Sequence, residues 1–289
     1  MKRRAGMINT DQFCLLGLRV MPFASVRGLE MFYELRGSGP RVLGLSGTGG
    51  DLRRSPTVYE MLLPNAFEIL AFDQRGLGQT SRPDIPYSLA DYADDAASLL
   101  DALGWDTCSV LGFSFGGMVA QEFALRHPDR VERMVLAATT SGGQGGRSYP
   151  MHELSDLPLH DRVRQTLMLG DTRRDAAWQS ANEVFFESMC HQVLQGLDIG
   201  ADEPGRQVGE QRQLEARSRH DTYDRLATLT LPTLVCGGVY DGVAKTGAVT
   251  AMQQQISGSQ LQMFEGGHLF FKQDQHAIQC MSDFLLNGG

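Results

Sequence analysis

Long apolar runs are missing from this chain. No segment approaches the roughly 18–20 consecutive apolar residues that a helix needs to cross a bilayer, so no membrane span is expected. An excess of basic charge is missing too: 26 Lys and Arg face 34 Asp and Glu, for a formal charge of −8. That balance argues against a nucleic-acid or anionic-membrane surface as partner. The acidic residues form no tail, so their charge is spread out and serves solubility. Internal repeats and low-complexity tracts are absent. The five cysteines (Cys14, Cys108, Cys190, Cys236 and Cys280) are odd in number, scattered, and form no Cys-x-x-Cys pair, which argues against a disulfide framework. Cys108 and Cys236 lie in or beside strand-like runs, where a thiol acts as a small core hydrophobe. A reducing, cytoplasmic setting follows. None of the seven histidines falls in a His-x-His or His-Glu-x-x-His pattern, so no metal site and no cofactor are expected.

What is present is the composition of a globular domain, 42% hydrophobic and 21% charged over 289 residues, long enough to bury a full core with an inserted cap. Lys2, Arg3 and Arg4 precede Phe13–Leu18 in the manner of a short signal peptide. However, Asp11 lies before the apolar stretch and Arg19 closes it too early. Residues 1–22 therefore read as a disordered leader, with the fold starting near Met21 or Phe23.

From Met31 onward, strand-like and helix-like segments alternate. Strands are expected at Met31–Leu35, Val42–Leu45, Phe67–Phe72, the run before Ser114, and Val131–Ala137. A helix is expected over Pro56–Leu63, and Ser88-Leu89-Ala90-Asp91 reads as a capping box opening a helix to Leu103. Near-continuous apolar strands alternating with amphipathic helices imply a mostly parallel sheet covered on both faces. After Ser141 the pattern changes. Gly142-Gly143-Gln144-Gly145-Gly146 looks like a hinge, and 142–225 reads as a polar helical cap inserted between core segments 23–141 and 226–289. The sheet pattern resumes at Thr233–Cys236, with a helix around Ala248–Gln255, a strand at Gln260–Phe264 and a final helix at His276–Leu286.

Ser114 sits in a Gly112-x-Ser114-x-Gly116 frame at the end of an apolar strand and the start of a helix. A tight turn there presents the hydroxyl as a nucleophile, provided small residues flank it. A chain with 33 Gly can supply such a frame by chance, so its weight comes from what accompanies it. Asp241 lies just past the carboxyl end of one strand, and Gly266-Gly267-His268 follows the next. Ser114, His268 and Asp241 thus supply a nucleophile, a base to take its proton, and a carboxylate to orient the base.

With Gly112-Phe113-Ser114-Phe115-Gly116, the segment Asp73-Gln74-Arg75-Gly76-Leu77-Gly78-Gln79-Thr80-Ser81, and the order Ser114, Asp241, His268, the chain resembles the α/β-hydrolase fold family from about Phe23 to Leu286. Gly47-Thr48-Gly49-Gly50-Asp51-Leu52-Arg53 and Gly237-Gly238-x-x-Asp241-Gly242 look most like its 3-oxoadipate enol-lactonase and small serine esterase group. The resemblance implies an α/β-hydrolase fold with a helical cap, an oxyanion hole from the Thr48 and Phe115 N–H groups, and an acyl-enzyme on Ser114. The implied substrate is a small carboxylic ester or lactone. Ser46 stands where many members carry histidine, which leaves the acyl end of the site, Ser46 and Gly47, open. Carbon–carbon bond hydrolysis of ring-cleavage diketones, perhydrolase or haloperoxidase-type activity, and simple ligand binding are the alternatives. Trp178, Phe185, Phe186 and Met189 either line the substrate pocket or glue the cap to the core. Asp73 and Arg75 read as loop-ordering residues, and Asp221 and Asp224 as weaker rivals to Asp241, since neither follows a strand. Oligomeric state is not encoded in any of these features.

Overall fold

Alternating side chains on buried strands must fill two cores, and that is how this chain is arranged. The computed structural model describes residues 22–287; the expected leader, apart from Pro22, lies outside the described residues. The strands are β1 Phe23–Val26, β2 Leu29–Gly37, β3 Arg41–Leu45, β4 Glu68–Phe72, β5 Cys108–Phe113, β6 Val131–Ala137, β7 Thr233–Gly238 and β8 Gln260–Phe264. They form one sheet in the order β1-β2-β4-β3-β5-β6-β7-β8. β1 and β2 pair antiparallel, as do β2 and β4, and every other pairing is parallel. Leu43, Leu70, Val110, Met134, Leu136 and Val235 point into one core, shared with helices α1 (Leu89–Ala102), α2 (Phe115–Arg126) and α7 (Thr246–Gln255). Their strand neighbours Val42, Ile69, Leu111, Val135, Leu234 and Cys236 point into the other, against α8 (His276–Asn287). This two-sided burial is why β5 and β7 read as near-continuous apolar runs, broken only by Ser109 and Thr233. Edge strand β8 instead alternates, with Gln260 and Gln262 turned outward.

Most expected elements are present, and the departures have local causes. β1 closes onto β2 through Arg27-Gly28, both with positive φ (50° and 79°), between the paired residues Val26 and Leu29. That is the backbone of a tight two-residue hairpin, and Arg-Gly gives a weaker turn signal than Asn-Gly. The helix expected over Pro56–Leu63 is a single 3₁₀ turn, Val58–Met61. Its apolar spacing is helical, but the residues on either side of that turn, Thr57 and Leu62, are extended, and Pro64 bars the helix from continuing. The box at Ser88 forms as expected: Ser88 Oγ accepts the Asp91 N–H at 3.2 Å, and Asp91 Oδ2 accepts the Ser88 N–H at 3.0 Å.

Between β6 and β7 lie the helices α3 (Leu159–Gly170), α4 (Ala176–Ala181), α5 (Glu183–Asp198) and α6 (Arg206–Ser218), with no intervening strand. This segment leaves and rejoins the sheet at one place, where Gly142 bridges Asp221 and the Thr222 N–H bonds the Ser141 carbonyl at 2.8 Å. The glycines that resemble a hinge have another reason to be small. A Cβ on Gly142, which has φ +70°, would lie 2.1 Å from the His220 carbonyl oxygen, and one on Gly145 would lie 2.4 Å from the Tyr223 ring.

Asp73 and Arg75 order loops, as their position suggests. Asp73 accepts N–H groups from Leu52 and Gln79, both at 2.8 Å, while burial pushes its pKa up to about 6. Arg75, 5% exposed, is paired through two nitrogens with Asp95, 1% exposed, at 2.6 and 2.7 Å. Removing one member of a buried pair strands the other charge. Asp95→Asn is therefore expected to lower unfolding free energy by about 3 kcal/mol, read as a shift in the urea midpoint; an unchanged midpoint would assign the pair no such role.

Candidate active site

Three loops at the carboxyl ends of parallel strands meet over Ser114. The serine follows β5 directly and precedes α2, with φ 53° and ψ −115°, a combination that non-glycine residues rarely adopt. Its N–H bonds the Ala137 carbonyl of β6 at 2.8 Å. Gly116 permits the turn to sit where it does, because a Cβ there would lie 2.0 Å from the Leu45 carbonyl oxygen at the end of β3.

The Gly47 Cα lies in the loop after β3, and a Cβ added there would be 3.4 Å from the Ser114 Cβ. Two glutamines hold that loop. Gln74 Nε2 donates to the Ser46 carbonyl at 2.8 Å, and Gln213 Oε1 accepts the Gly49 N–H at 2.8 Å. Thr48 lies in the cavity wall beside Ser114. Phe115 is the first residue of α2, and Ser114 makes no side-chain cap bond. The helix therefore directs N–H groups without intrahelical acceptors, and the positive end of its dipole, at the space beside Ser114.

His268 and Asp241 arrive from the other side. His268 Nε2 lies 3.0 Å from Ser114 Oγ, and His268 Nδ1 lies 2.7 Å from Asp241 Oδ2. Asp241 is 4% exposed, and its Oδ1 accepts N–H groups from Val243 at 2.7 Å and Ala244 at 2.9 Å. An ionised carboxylate so held accepts the Nδ1–H of a neutral imidazole, which leaves Nε2 free to accept the serine proton. The His268 N–H bonds the Gly170 carbonyl at 2.6 Å, and the Phe113 ring packs against the imidazole at a centroid distance of 5.2 Å. Asp221 and Asp224 do not reach His268; Asp221 instead accepts the Tyr223 N–H at 3.2 Å.

The cavity over Ser114 has a volume of about 270 Å³. Its apolar wall includes Met151, Leu167, Val193, Val243 and Leu269. Of the expected pocket residues, Gly47 lines it, while Ser46, Trp178, Phe185, Phe186 and Met189 do not; Thr48, expected as an oxyanion donor, lines it as well. Phe186 is fully buried among Val163 and Cys190, with Trp178 and Met189 packed against that cluster. Phe185 stacks edge-on with Trp178 and remains 60% exposed. These side chains pack α3, α4 and α5 against one another. Ser46 contributes its carbonyl to Gln74, and its Cβ faces Gly50.

Arg174, Arg217, Gln213 and Gln273 escape sequence reasoning. The buried face of α6 is Gly209, Gln213, Ala216 and Arg217. Its spacing at i, i+4, i+7 and i+8 is helical, but the residues are polar or small, so an apolar pattern does not reveal it. Among the described residues, His160, Glu187 and Cys190 bring donor atoms within 4.8 Å of one another. Their carboxylate is already paired with Arg164 and His160. No described helix is long and apolar enough to cross a membrane.

Comparison with known proteins agrees with this architecture. A family model for the alpha/beta hydrolase fold matches residues 40–275. The poly(3-hydroxyalkanoate) depolymerase of Ectopseudomonas oleovorans is 30% identical over 239 residues, covering 79% of this chain and 78% of its own. The 2-hydroxymuconate semialdehyde hydrolase of Pseudomonas putida is 30% identical over 257 residues, covering 84% and 81%. The crystal structure of the enol-lactonase from Burkholderia xenovorans LB400 superposes with a TM-score of 0.73 at 22% identity, over 92% of this chain and 100% of the other. That likeness is one of fold. The family match over most of the sequence, with two relatives at 30% identity, establishes that the chain belongs to the α/β hydrolase fold family.

Proposed function

We propose that the protein is a serine hydrolase of small carboxylic esters or lactones. The observation that carries this reading is the hydrogen-bonded chain Ser114–His268–Asp241, at 3.0 and 2.7 Å, opening on a largely apolar cavity. His268 Nε2 takes the Ser114 proton as Oγ attacks the ester carbonyl, and Asp241 stabilises the imidazolium that forms. The Thr48 and Phe115 N–H groups receive the charge on the carbonyl oxygen. The C–O bond then breaks, with His268 returning the proton to the leaving oxygen. A water deprotonated by His268 attacks the acyl-enzyme, releasing the acid and restoring Ser114. Residues 142–225 act as a cap: Met151, Thr166, Leu167 and Val193 come from that segment to the cavity. A cavity of about 270 Å³ suits a small or medium substrate.

A second reading keeps the same residues but breaks a carbon–carbon bond. It is favoured by the relative named as a 2-hydroxymuconate semialdehyde hydrolase. The two readings separate on a panel of short p-nitrophenyl esters, lactones and vinylogous diketones. Turnover of esters or lactones is expected, with loss of at least ~10³-fold in kcat in Ser114→Ala. Activity on diketones alone would overturn the ester or lactone reading, and tight ligand retention without turnover would point to a binder.

The assignment of the acid has its own test. Asp241→Asn should cost about 10³–10⁴-fold in kcat while leaving the fold intact, because the amide no longer fixes the required tautomer. Asp221→Asn and Asp224→Asn should stay close to wild type. The reverse pattern in steady-state rates would reassign the acid.

A further inference from the structure

Two described arginines are buried, and they are treated differently: Arg75 is 5% exposed and Arg217 is 6% exposed. Arg75 has the carboxylate of Asp95. Arg217 reaches no carboxylate. Its Nη1 donates to the Tyr149 carbonyl and its Nη2 to the Ser148 hydroxyl, both at 2.9 Å, and its Nε–H has no acceptor. Burial lowers its pKa to about 10, so it remains a cation at neutral pH. A buried charge with no counter-charge is expensive to keep in a fold.

Arg217 forms part of the wall of the Ser114 cavity, and Arg174 forms another part. The Arg174 side chain donates Nη1 to the Leu167 carbonyl at 3.0 Å; Asp171 lies near enough to act on its charge but is bonded to Arg173 and Gln273. No Asp or Glu lines this cavity. None lines the adjoining cavity either, which shares Arg217 and adds the exposed Arg147. In a chain of net charge −8, the wall over Ser114 thus carries one guanidinium with no carboxylate partner, Arg217, and a second, Arg174, whose nearby carboxylate Asp171 is already paired with Arg173. The apolar residues around it weaken screening and strengthen any attraction to an anion.

We propose that the Ser114 cavity selects substrates bearing a carboxylate, which supplies the counter-charge that Arg217 lacks and that Arg174 shares with Arg173. The preferred substrate is then a half-ester of a dicarboxylic acid, or a lactone with a free acid group. This rests on the reading of Ser114 as nucleophile. A guanidinium can meet a carboxylate through two N–H groups, so the acid end of the substrate is oriented as well as held. A neutral ester of the same length leaves the charge buried and unpaired.

The test compares kcat/KM for 4-nitrophenyl hydrogen glutarate and 4-nitrophenyl pentanoate, whose acyl chains match in length, at one ionic strength. Wild type should favour the anionic ester by about tenfold or more. Arg217→Met should lower that ratio by about fivefold or more through the KM of the anionic ester, and Arg217→Lys should recover part of it. Arg174→Gln, at a half-buried position that tolerates an uncharged side chain, should lower the ratio as well and covers the case in which Arg217→Met does not fold. A wild-type ratio near one, or a ratio unchanged in the folded variants, overturns the proposal. If neither ester is turned over, the nucleophile reading fails separately, and calorimetric titration with glutarate then decides the anion site. Binding to wild type that weakens in Arg174→Gln supports the site; no binding, or equal binding, overturns it.

Discussion

The site depends on one strained turn. Ser114 is held at φ 53°, a conformation that costs a non-glycine residue about 1–3 kcal/mol and persists because its surroundings leave no alternative. The Ser114 N–H is tied to β6, the residue before it belongs to β5, and the helix after it packs against the end of β3 through Gly116. Three central strands must therefore be in register for the hydroxyl to point at the cavity. Their register is secured by side chains filling cores on both faces of the sheet, where a one-residue slip would exchange the two sets.

From that turn the remaining parts are placed at low cost. The close approach at Gly116 brings the start of α2 beside the loop of Gly47 and Thr48, so two strand-end loops converge on the same space. β7 and β8 are neighbours, which puts Asp241 and His268 on adjacent loops. α6 then closes the arrangement from the helical segment. Its Gly209 lies against Gly76, its Gln213 holds Gly49, and its Arg217 faces the cavity. One polar helix thus links the loop of Thr48 to the charge that would greet a substrate.

Much of this was legible because it is local. The run 108–117 shows strand, turn and helix in ten consecutive residues. Val131–Ala137 and Gln260–Phe264 carry the apolar character of their strands, and the Ser88 box announces its helix. Ser114, Asp241 and His268 could be named because each follows a strand, and the structure brings Ser114 and Asp241 each within hydrogen-bond reach of His268. What could not be read depends on distant partners. The Arg27-Gly28 hairpin lacks a strong turn signature, and Pro56–Leu63 has helical spacing but forms a single 3₁₀ turn between extended residues. Trp178, Phe185, Phe186 and Met189 suggest a pocket by their chemistry, but their packing is among themselves. Gln213 and Arg217 sit in a helix whose composition matches a solvated one. Their burial follows from the loops they meet, and local periodicity does not carry that information.

The central claim is that this geometry makes Ser114 a covalent nucleophile. Intact-mass measurement after reaction with a fluorophosphonate tests it most directly, with peptide mapping to locate the adduct. A single adduct on Ser114 is the result the account predicts. No adduct, or one on a different serine, would contradict it.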